Sequence, residues 1–243
     1  MTVCHVARVA TIVCEWGLAG IEAHRDAASV FVIVDVLSFS TATSVAVERG
    51  AAVIPFAHGD SAAAQAEAER QGAALAASRR AGGGQLSLSP VSLQRLAAGT
   101  RLLLPSPNGS RLSLATGDAP TIAGCLRNAT AVARLATDLA GGGTVAVIPA
   151  GERWPDGTLR PAIEDWLGAG AIIAALGGDL RAEAELAAAT YRNVGTRLTE
   201  LVRDSGSGRE LARWGFTADV DVALEVDASA AVPILRERRY VAA

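Results

Sequence analysis

Lysine is missing from all 243 residues; each of the 22 basic side chains is arginine. With lysine go the phosphate-binding loop that ends in it, the Schiff base and the lysine general base. An anionic ligand must then be held by arginine, by backbone N–H groups or by a metal ion. Aromatic residues make up only 4% of the chain against 50% hydrophobic residues, so the core must be built from Ala, Val, Leu and Ile. Small side chains let helices approach a sheet closely, as layered α/β folds require. Cys4, Cys14 and Cys125 show no C-x-x-C spacing, which argues against a disulfide framework or a zinc knot and for reduced thiols in a reducing compartment. His5, His24 and His58 are scattered without metal-ligand spacing.

Long apolar runs are also lacking. None approaches the roughly 18 residues of a membrane span, and the stretch from Trp166 to Gly178 is too short. Arg8 and Glu15 interrupt the N-terminal apolar stretch too early for a secretory signal. The 25 acids and 22 bases give a net charge of −3 with no basic run, unlike the electrostatic footprint of a nucleic-acid binder. The expectation is a cytoplasmic protein with neither nucleic acid nor membrane as partner.

What is present is a strand–helix alternation. Val3 to Val13 reads as an opening strand, and the β-branched run Val30 to Val34 as a strand covered on both faces. Ala52 to Phe56, Arg101 to Leu104, Thr121 to Ala123 and Thr144 to Ile148 read as further strands. Helices are expected over Ser40 to Arg49, Ser61 to Ser78 with Ser61 as N-cap, Leu93 to Ala98, Asn128 to Leu139, Ile163 to Leu176, Ala182 to Asp204 and Arg209 to Trp214. Gly82 to Gly84 lacks the strand–turn–helix context of a dinucleotide site and reads as a flexible loop, and a last strand is expected from Ala223 to Val226. The alternation implies an α/β fold, a three-layer α/β/α sandwich with a mostly parallel mixed sheet, in a single domain over 1–243.

Three segments at strand ends could carry chemistry. Asp35 closes the buried strand and is followed by Ser38, Ser40 and Thr41 at a helix start, where open α/β sheets bind ligands and free N–H groups favour a phosphate. Asp35 could hold a hard cation such as Mg²⁺; alternatively the hydroxyls cap the helix and Asp35 is satisfied locally. A haloacid-dehalogenase reading fails because Leu37 stands where a second Asp is needed. Asn108, Gly109 and Ser110 follow Pro107 as either a tight turn or an anion site. Glu152 and Arg153 follow another strand, and Glu164 and Asp165 open a helix whose dipole they would complement. Three carboxylates converging there are costly unless a cation neutralises them. Asp219-Val220-Asp221 resembles a phosphatase D-x-D but lacks a preceding apolar strand, and is discounted.

Taken together and in order, these segments resemble the 2-phosphosulfolactate phosphatase family. The resemblance rests on Val32 to Leu37 with Ser40-Thr41, Leu88-Ser89-Pro90, Pro107 to Ser110, Asn128 to Ala133, Ala150-Gly151-Glu152, Glu164-Asp165 with Gly168 to Gly170, Ser207 to Leu211, Asp219-Val220, Asp227 and Val232-Pro233. It implies an α/β/α fold, Mg²⁺ dependence and hydrolysis of phosphate monoesters of 2-hydroxycarboxylic acids, with sulfolactate as product on the route to coenzyme M. Residue by residue it points to Asp35, Asn108, Glu152, Glu164 and Asp165. Combined with the local reading, the expected catalytic residues are Asp35, Ser38, Ser40, Asn108 and Glu164. Thr41, Arg79, Arg80, Gly109, Ser110 and Arg153 are expected to bind substrate, and Asp35, Glu152 and Asp165 the metal. Where the family has Arg after Asp-Val-Leu this chain has Ser38, where it has Gly-Glu-Arg this chain has Ala77-Ser78-Arg79-Arg80, and Leu88 replaces an Asn. The alternative expectation is therefore a non-catalytic small-anion-binding relative. The expected partner is a small anionic phosphate ester, with a homodimer left open.

Overall fold

Alternating residues of two neighbouring apolar runs build the centre of this protein. The computed structural model describes residues 9–57, 61–79 and 85–243. The first part of the chain folds as β1 (Thr11–Cys14), α1 (Gly17–His24), β2 (Ala28–Val34), α2 (Phe39–Glu48), β3 (Ala52–Ala57), α3 (Ser61–Gln71) and β4 (Ala74–Leu75). There follow α4 (Pro90–Leu93), β5 (Arg101–Ser106), α5 (Gly109–Ser113), β6 (Thr121–Gly124), α6 (Ala129–Ala140), β7 (Thr144–Pro149), β8 (Glu152–Arg153) and β9 (Leu159–Arg160). The chain ends with α7 (Ile163–Leu176), β10 (Asp179–Leu180), α8 (Ala182–Val194), α9 (Leu198–Asp204), α10 (Gly206–Arg213), α11 (Thr217–Ala223), β11 (Pro233–Arg236) and β12 (Arg239–Ala242).

Ten strands form one sheet in the order β10-β1-β7-β2-β6-β11-β12-β3-β5-β4, while β8 and β9 pair as a separate ribbon. On β2 and β7, Val30, Val32, Val34, Val145 and Val147 pack under α6, α7 and α8. Their neighbours Phe31, Ile33, Ala146 and Ile148 face the other way, onto Ile21 of α1 and Leu112 of α5. Each such fully buried side chain contributes about 1.5–3 kcal/mol. In the second half of the sheet, Val53, Leu102 and Leu104 lie with α2, and Ile54 and Leu103 with Ala64 and Ala68 of α3. This is the expected three-layer α/β/α sandwich.

The sheet is two parallel blocks joined by an antiparallel hairpin. β6–β11, β11–β12 and β12–β3 are all antiparallel, so the block β3-β5-β4 runs opposite to β10-β1-β7-β2-β6. A flat sheet would then put the carboxyl ends of β2 and β5 at opposite edges. Five strand steps separate them, and a twist of about 20–25° per step accumulates to roughly 100–125°. The twist swings the two ends together, as the hydrogen bonds below record. The hairpin is fastened by Tyr240, whose fully buried hydroxyl donates to Ser113 Oγ at 2.7 Å and whose ring meets Phe39 edge-on at 6.0 Å.

Several boundaries differ from expectation for identifiable reasons. The polar stretch Glu22 to Asp26 belongs largely to α1, whose weak amphipathicity hides it. The expected opening strand is described from Thr11 to Cys14; residues 1–8 lie outside the described residues, as do His58, Arg80 and the Gly82 to Gly84 loop. Helix α3 ends at Gln71 because Gly72 adopts a positive φ of 57°. Instead of Leu93 to Ala98, the helix occupies Pro90–Leu93, started by Pro90 in its first turn. The long helix from Ala182 to Asp204 breaks at Gly195, φ 48°. The strand expected from Ala223 to Val226 is absent: residues up to Ala223 close α11, because Val220, Val222 and Ala223 are buried on a helical face.

Gly168 and Gly170 do what close helix packing requires. A Cβ at Gly170 would stand 2.3 Å from the Ala187 carbonyl oxygen of α8, and one at Gly168 2.6 Å from Val36 Cγ2. Gly170→Ala should therefore destabilise by about 2 kcal/mol through overpacking, a Tm decrease of about 4–8 °C for a chain of this size. Thermal denaturation checks it; an unchanged Tm would show that α7 and α8 have room to separate.

Candidate active site

The acid at the end of β2 organises the site through two backbone bonds. Asp35 Oδ1 accepts from Phe39 N at 3.0 Å and Oδ2 from Gly109 N at 2.9 Å, tying the β2 loop to the start of α5. Gly109 permits this approach: a Cβ there would lie 2.3 Å from the Phe39 ring. Asp165 makes the matching bond on the other side. Its Oδ1 accepts from Val36 N at 2.7 Å and its Oδ2 from Gly151 N at 2.8 Å, holding the β7 loop against the β2 loop. Asn108 Nδ2 donates to Glu152 Oε2 at 2.8 Å, closing the ring between the β5 and β7 loops. Residues from three strand ends thus meet, as expected for Asp35, Asn108 and Glu152.

The hydroxyls divide into two groups. Ser40 Oγ donates to Ile33 O at 2.9 Å and accepts from Asp35 N; Thr41 Oγ1 donates to Val36 O at 2.7 Å; Ser110 Oγ donates to Leu104 O at 2.8 Å. These three hold the turns that aim Asp35 and Gly109. Ser38 instead accepts from Arg79 Nη2 at 2.7 Å, so it is the hydroxyl of the segment that faces a cation. Arg79 also donates to Leu88 O at 3.0 Å, pairs with Asp219 at 3.3 Å and lies 5.5 Å from the centre of the Phe216 ring. Arg153 donates to Gly157 O at 2.9 Å and borders a cleft of about 230 Å³ shared with Trp16, Asn108, Glu152 and Leu159.

Electrostatics set this cluster apart from the rest of the fold. Burial, then the backbone donors and the charges of Glu164 and Arg79, leave the Asp35 carboxyl pushed up from 3.8 to about 6. Glu152 is pushed up from 4.5 to about 7 by burial and by the charge of Asp35, against the opposing Asn108 bond. Asp165 is raised by burial and then by the charges of Asp35 and Glu164. Burial lowers Arg79, while Asp219, Asp35 and Glu152 oppose that shift. Glu164 is itself buried in the first turn of α7. Four acids therefore crowd one strand-end region, with Arg79 interacting with both Asp35 and Glu152.

This donor set is all hard oxygen and mutually repelling, the chemistry a hard divalent cation satisfies. Among the described residues no three His, Cys, Asp or Glu side chains form a ready-made ligand cluster. That still fits Mg²⁺, which usually takes one or two carboxylates together with waters and substrate oxygens.

Sequence reasoning passed over three participants. Arg160 carries no distinguishing pattern in the sequence, yet its charge lowers Glu152. Phe216 carried no signal, and Asp219 was set aside for want of a strand before it. It sits on a helix and acts on Arg79, a role that only the tertiary fold reveals.

The fold and this cluster define the class: an α/β/α protein that gathers acids and an arginine at its strand ends. Within that class the chain belongs to the 2-phosphosulfolactate phosphatase family, whose model, described as 2-phosphosulpholactate phosphatase, matches residues 19–238. It is 33% identical over 214 residues to the 2-phosphosulfolactate phosphatase of Methanothermobacter thermautotrophicus, covering 86% of this chain and 87% of that protein. It is 32% identical over 216 residues to a probable 2-phosphosulfolactate phosphatase of Deinococcus radiodurans, covering 85% and 87%.

The raised carboxyls fix the sign of a pH effect. Folded values of about 6 for Asp35 and about 7 for Glu152 lie above their ordinary 3.8 and 4.5. Their protonated forms therefore favour the fold below about pH 4, and that contribution is lost as pH rises through 6 and 7. Chelator-treated protein should lose Tm between about pH 5 and pH 8, and an Asp35→Asn, Glu152→Gln double variant should lose less. Equal pH profiles for the two would contradict the coupling.

Proposed function

We propose that this protein is a Mg²⁺-dependent phosphatase that hydrolyses the phosphate monoester of a 2-hydroxycarboxylic acid, with 2-phosphosulfolactate as the leading substrate. The observation that carries the reading is the meeting of Asp35, Asn108 and Glu152 from three strand ends beside Arg79, in a chain of this family. The compartment we infer is the cytoplasm; buried, unpaired Cys14 and Cys125 suit a reducing one. Among the described residues no helix is long and apolar enough to cross a membrane.

In this reading Asp35 and Glu152 would hold the cation, and Asp165 maintains the spacing of the β2 and β7 loops through its paired backbone bonds. The cation would neutralise phosphoryl oxygens and lower the cost of charge developing on the leaving oxygen. Arg79 supplies the fixed positive side chain for the remaining oxygens. Ser38, bonded to Arg79, faces the same position. Asn108 fixes the Glu152 carboxylate by occupying one oxygen. Glu164 is the remaining buried acid and orients the attacking water. Ser40 and Thr41 are not the nucleophile here, since their protons are given to main-chain carbonyls.

The rival reading, a non-catalytic anion binder, is disfavoured by the four acids themselves. An anion-binding pocket without chemistry gains nothing from buried carboxylates, which repel the ligand.

Hydrolysis of 2-phosphosulfolactate and of p-nitrophenyl phosphate with and without Mg²⁺ tests the proposal. Asp35→Asn should lower kcat/KM by about 10²–10⁴-fold, the size of a lost electrostatic contribution to the transition state, and should weaken Mg²⁺ binding, with far-UV circular dichroism unchanged. Full turnover in excess chelator would overturn the metal reading, and absence of turnover by the wild-type protein with Mg²⁺ would overturn the phosphatase reading.

A further inference from the structure

Arg79 is a long side chain whose placement over Ser38 is held from several directions at once. Free, such a side chain samples many rotamers, and the loss of that entropy opposes fixing it. Nη2 is fixed by Ser38 Oγ and Leu88 O. The Nε side meets Asp219 Oδ2 at 3.3 Å, and the Phe216 ring lies against the guanidinium at 5.5 Å. Both hydrogen bonds of the guanidinium's Nη atoms are thus made by Nη2, and among the described residues Nη1 makes none. Asp219 is in turn held, because Ser89 Oγ donates to its other oxygen. It is 2% exposed, in the first turn of α11, and the chain separation from Asp35 is most of the protein's length.

We infer that Asp219, backed by Phe216 and Ser89, is a positioning residue of this site, acting through Arg79 to present a pre-ordered guanidinium to the substrate's phosphoryl oxygens. The C-terminal helix α11 thereby becomes part of the anion pocket although it contributes no atom to the reacting group. The inference deepens the function proposed above and rests on Arg79 as the substrate's anion holder. Its physical content is preorganisation. A pre-fixed guanidinium loses little freedom on binding, so affinity for the anion exceeds that of a free arginine. The ion pair with Asp219 is made at Nε, while Nη2 is the atom on Ser38. With Asn in place of Asp219 the charge that holds Nε is gone while the volume is kept.

A merely structural role for Asp219 predicts loss of Tm with kinetics per folded molecule intact; a positioning role predicts a binding defect that disappears when Arg79 is absent. The experiment measures the Kd of inorganic phosphate by calorimetry with Mg²⁺ present, and KM and kcat for p-nitrophenyl phosphate, in four proteins: wild type, Asp219→Asn, Arg79→Ala and the double variant. Asp219→Asn should raise phosphate Kd and KM about tenfold with kcat within about threefold, and Arg79→Ala about 30–100-fold, the range of one lost charge-assisted hydrogen bond. The double variant should match Arg79→Ala, since non-additivity is the mark of one residue acting through another. An unchanged Kd and KM in a folded Asp219→Asn, or additive effects in the double variant, would overturn the inference. Where Asp219→Asn does not fold, Phe216→Leu serves instead, with an expected rise of about threefold in Kd from the lost cation–π contact; no rise would overturn it equally. Failure of Asp35→Asn to reduce turnover would instead strike the role given to Asp35, and absence of wild-type turnover the phosphatase reading, leaving the phosphate Kd to judge Asp219. Wild-type protein that binds no phosphate would end both.

Discussion

Repulsion among buried carboxylates is the constraint on which the rest of this structure turns. At an effective dielectric of about 20, two unit charges 4 Å apart repel by roughly 4 kcal/mol. Burial first, and then the charges of neighbouring acids, Glu164 among them, raise the proton affinity of Asp35, Glu152 and Asp165. A fold would not assemble such a group for stability. The backbone donors of Phe39, Gly109, Val36 and Gly151 offset part of the cost, and Arg79 offsets more. The remainder is what a proton supplies in the metal-free protein and what a cation is proposed to supply at work.

Fold and site are connected through those same donors. Asp35 and Asp165 each spend both oxygens on loops far apart in sequence, so the acids act as rivets between the β2, β5 and β7 ends. The twist across the antiparallel hairpin makes this meeting possible, and Tyr240, buried between Phe39 and Ser113, keeps the hairpin in place. Small residues complete the arrangement: Gly109 lets α5 reach Asp35, Gly168 lets α7 carry Glu164 and Asp165 close to β2, and Gly170 lets α8 close on α7. A chain poor in aromatics and rich in Ala and Gly is suited to such close layers.

Much of this was legible in the chain. The runs Val30 to Val34 and Thr144 to Ile148 read as buried strands because β-branched residues without polar interruption have no other comfortable place. Asp35, Asn108 and Glu152 stood out because each directly follows such a strand. The β11–β12 hairpin was not legible, since Pro233 and the arginines around Arg236 to Arg239 obscure any alternation and its pairing is supplied by distant β6 and β3. The role of Asp219 escaped for a related reason: its partner is 140 residues away, and the local pattern offered only a D-x-D without a strand. Ser40, Thr41 and Ser110 show the converse. Their type and place were right for catalysis, but their protons are committed to carbonyls that only the folded loops bring within reach.

The central claim, that carboxyls sharing protons at neutrality give way to a cation, has a direct measurement. Mg²⁺ titration by calorimetry in buffers of different ionisation heat counts the protons released on binding. With Asp35 at about 6 and Glu152 at about 7, binding should release protons, more at pH 6 than at pH 8, and Glu152→Gln should release fewer. Binding without proton release at pH 6, or no Mg²⁺ binding by the wild-type protein, would contradict the account.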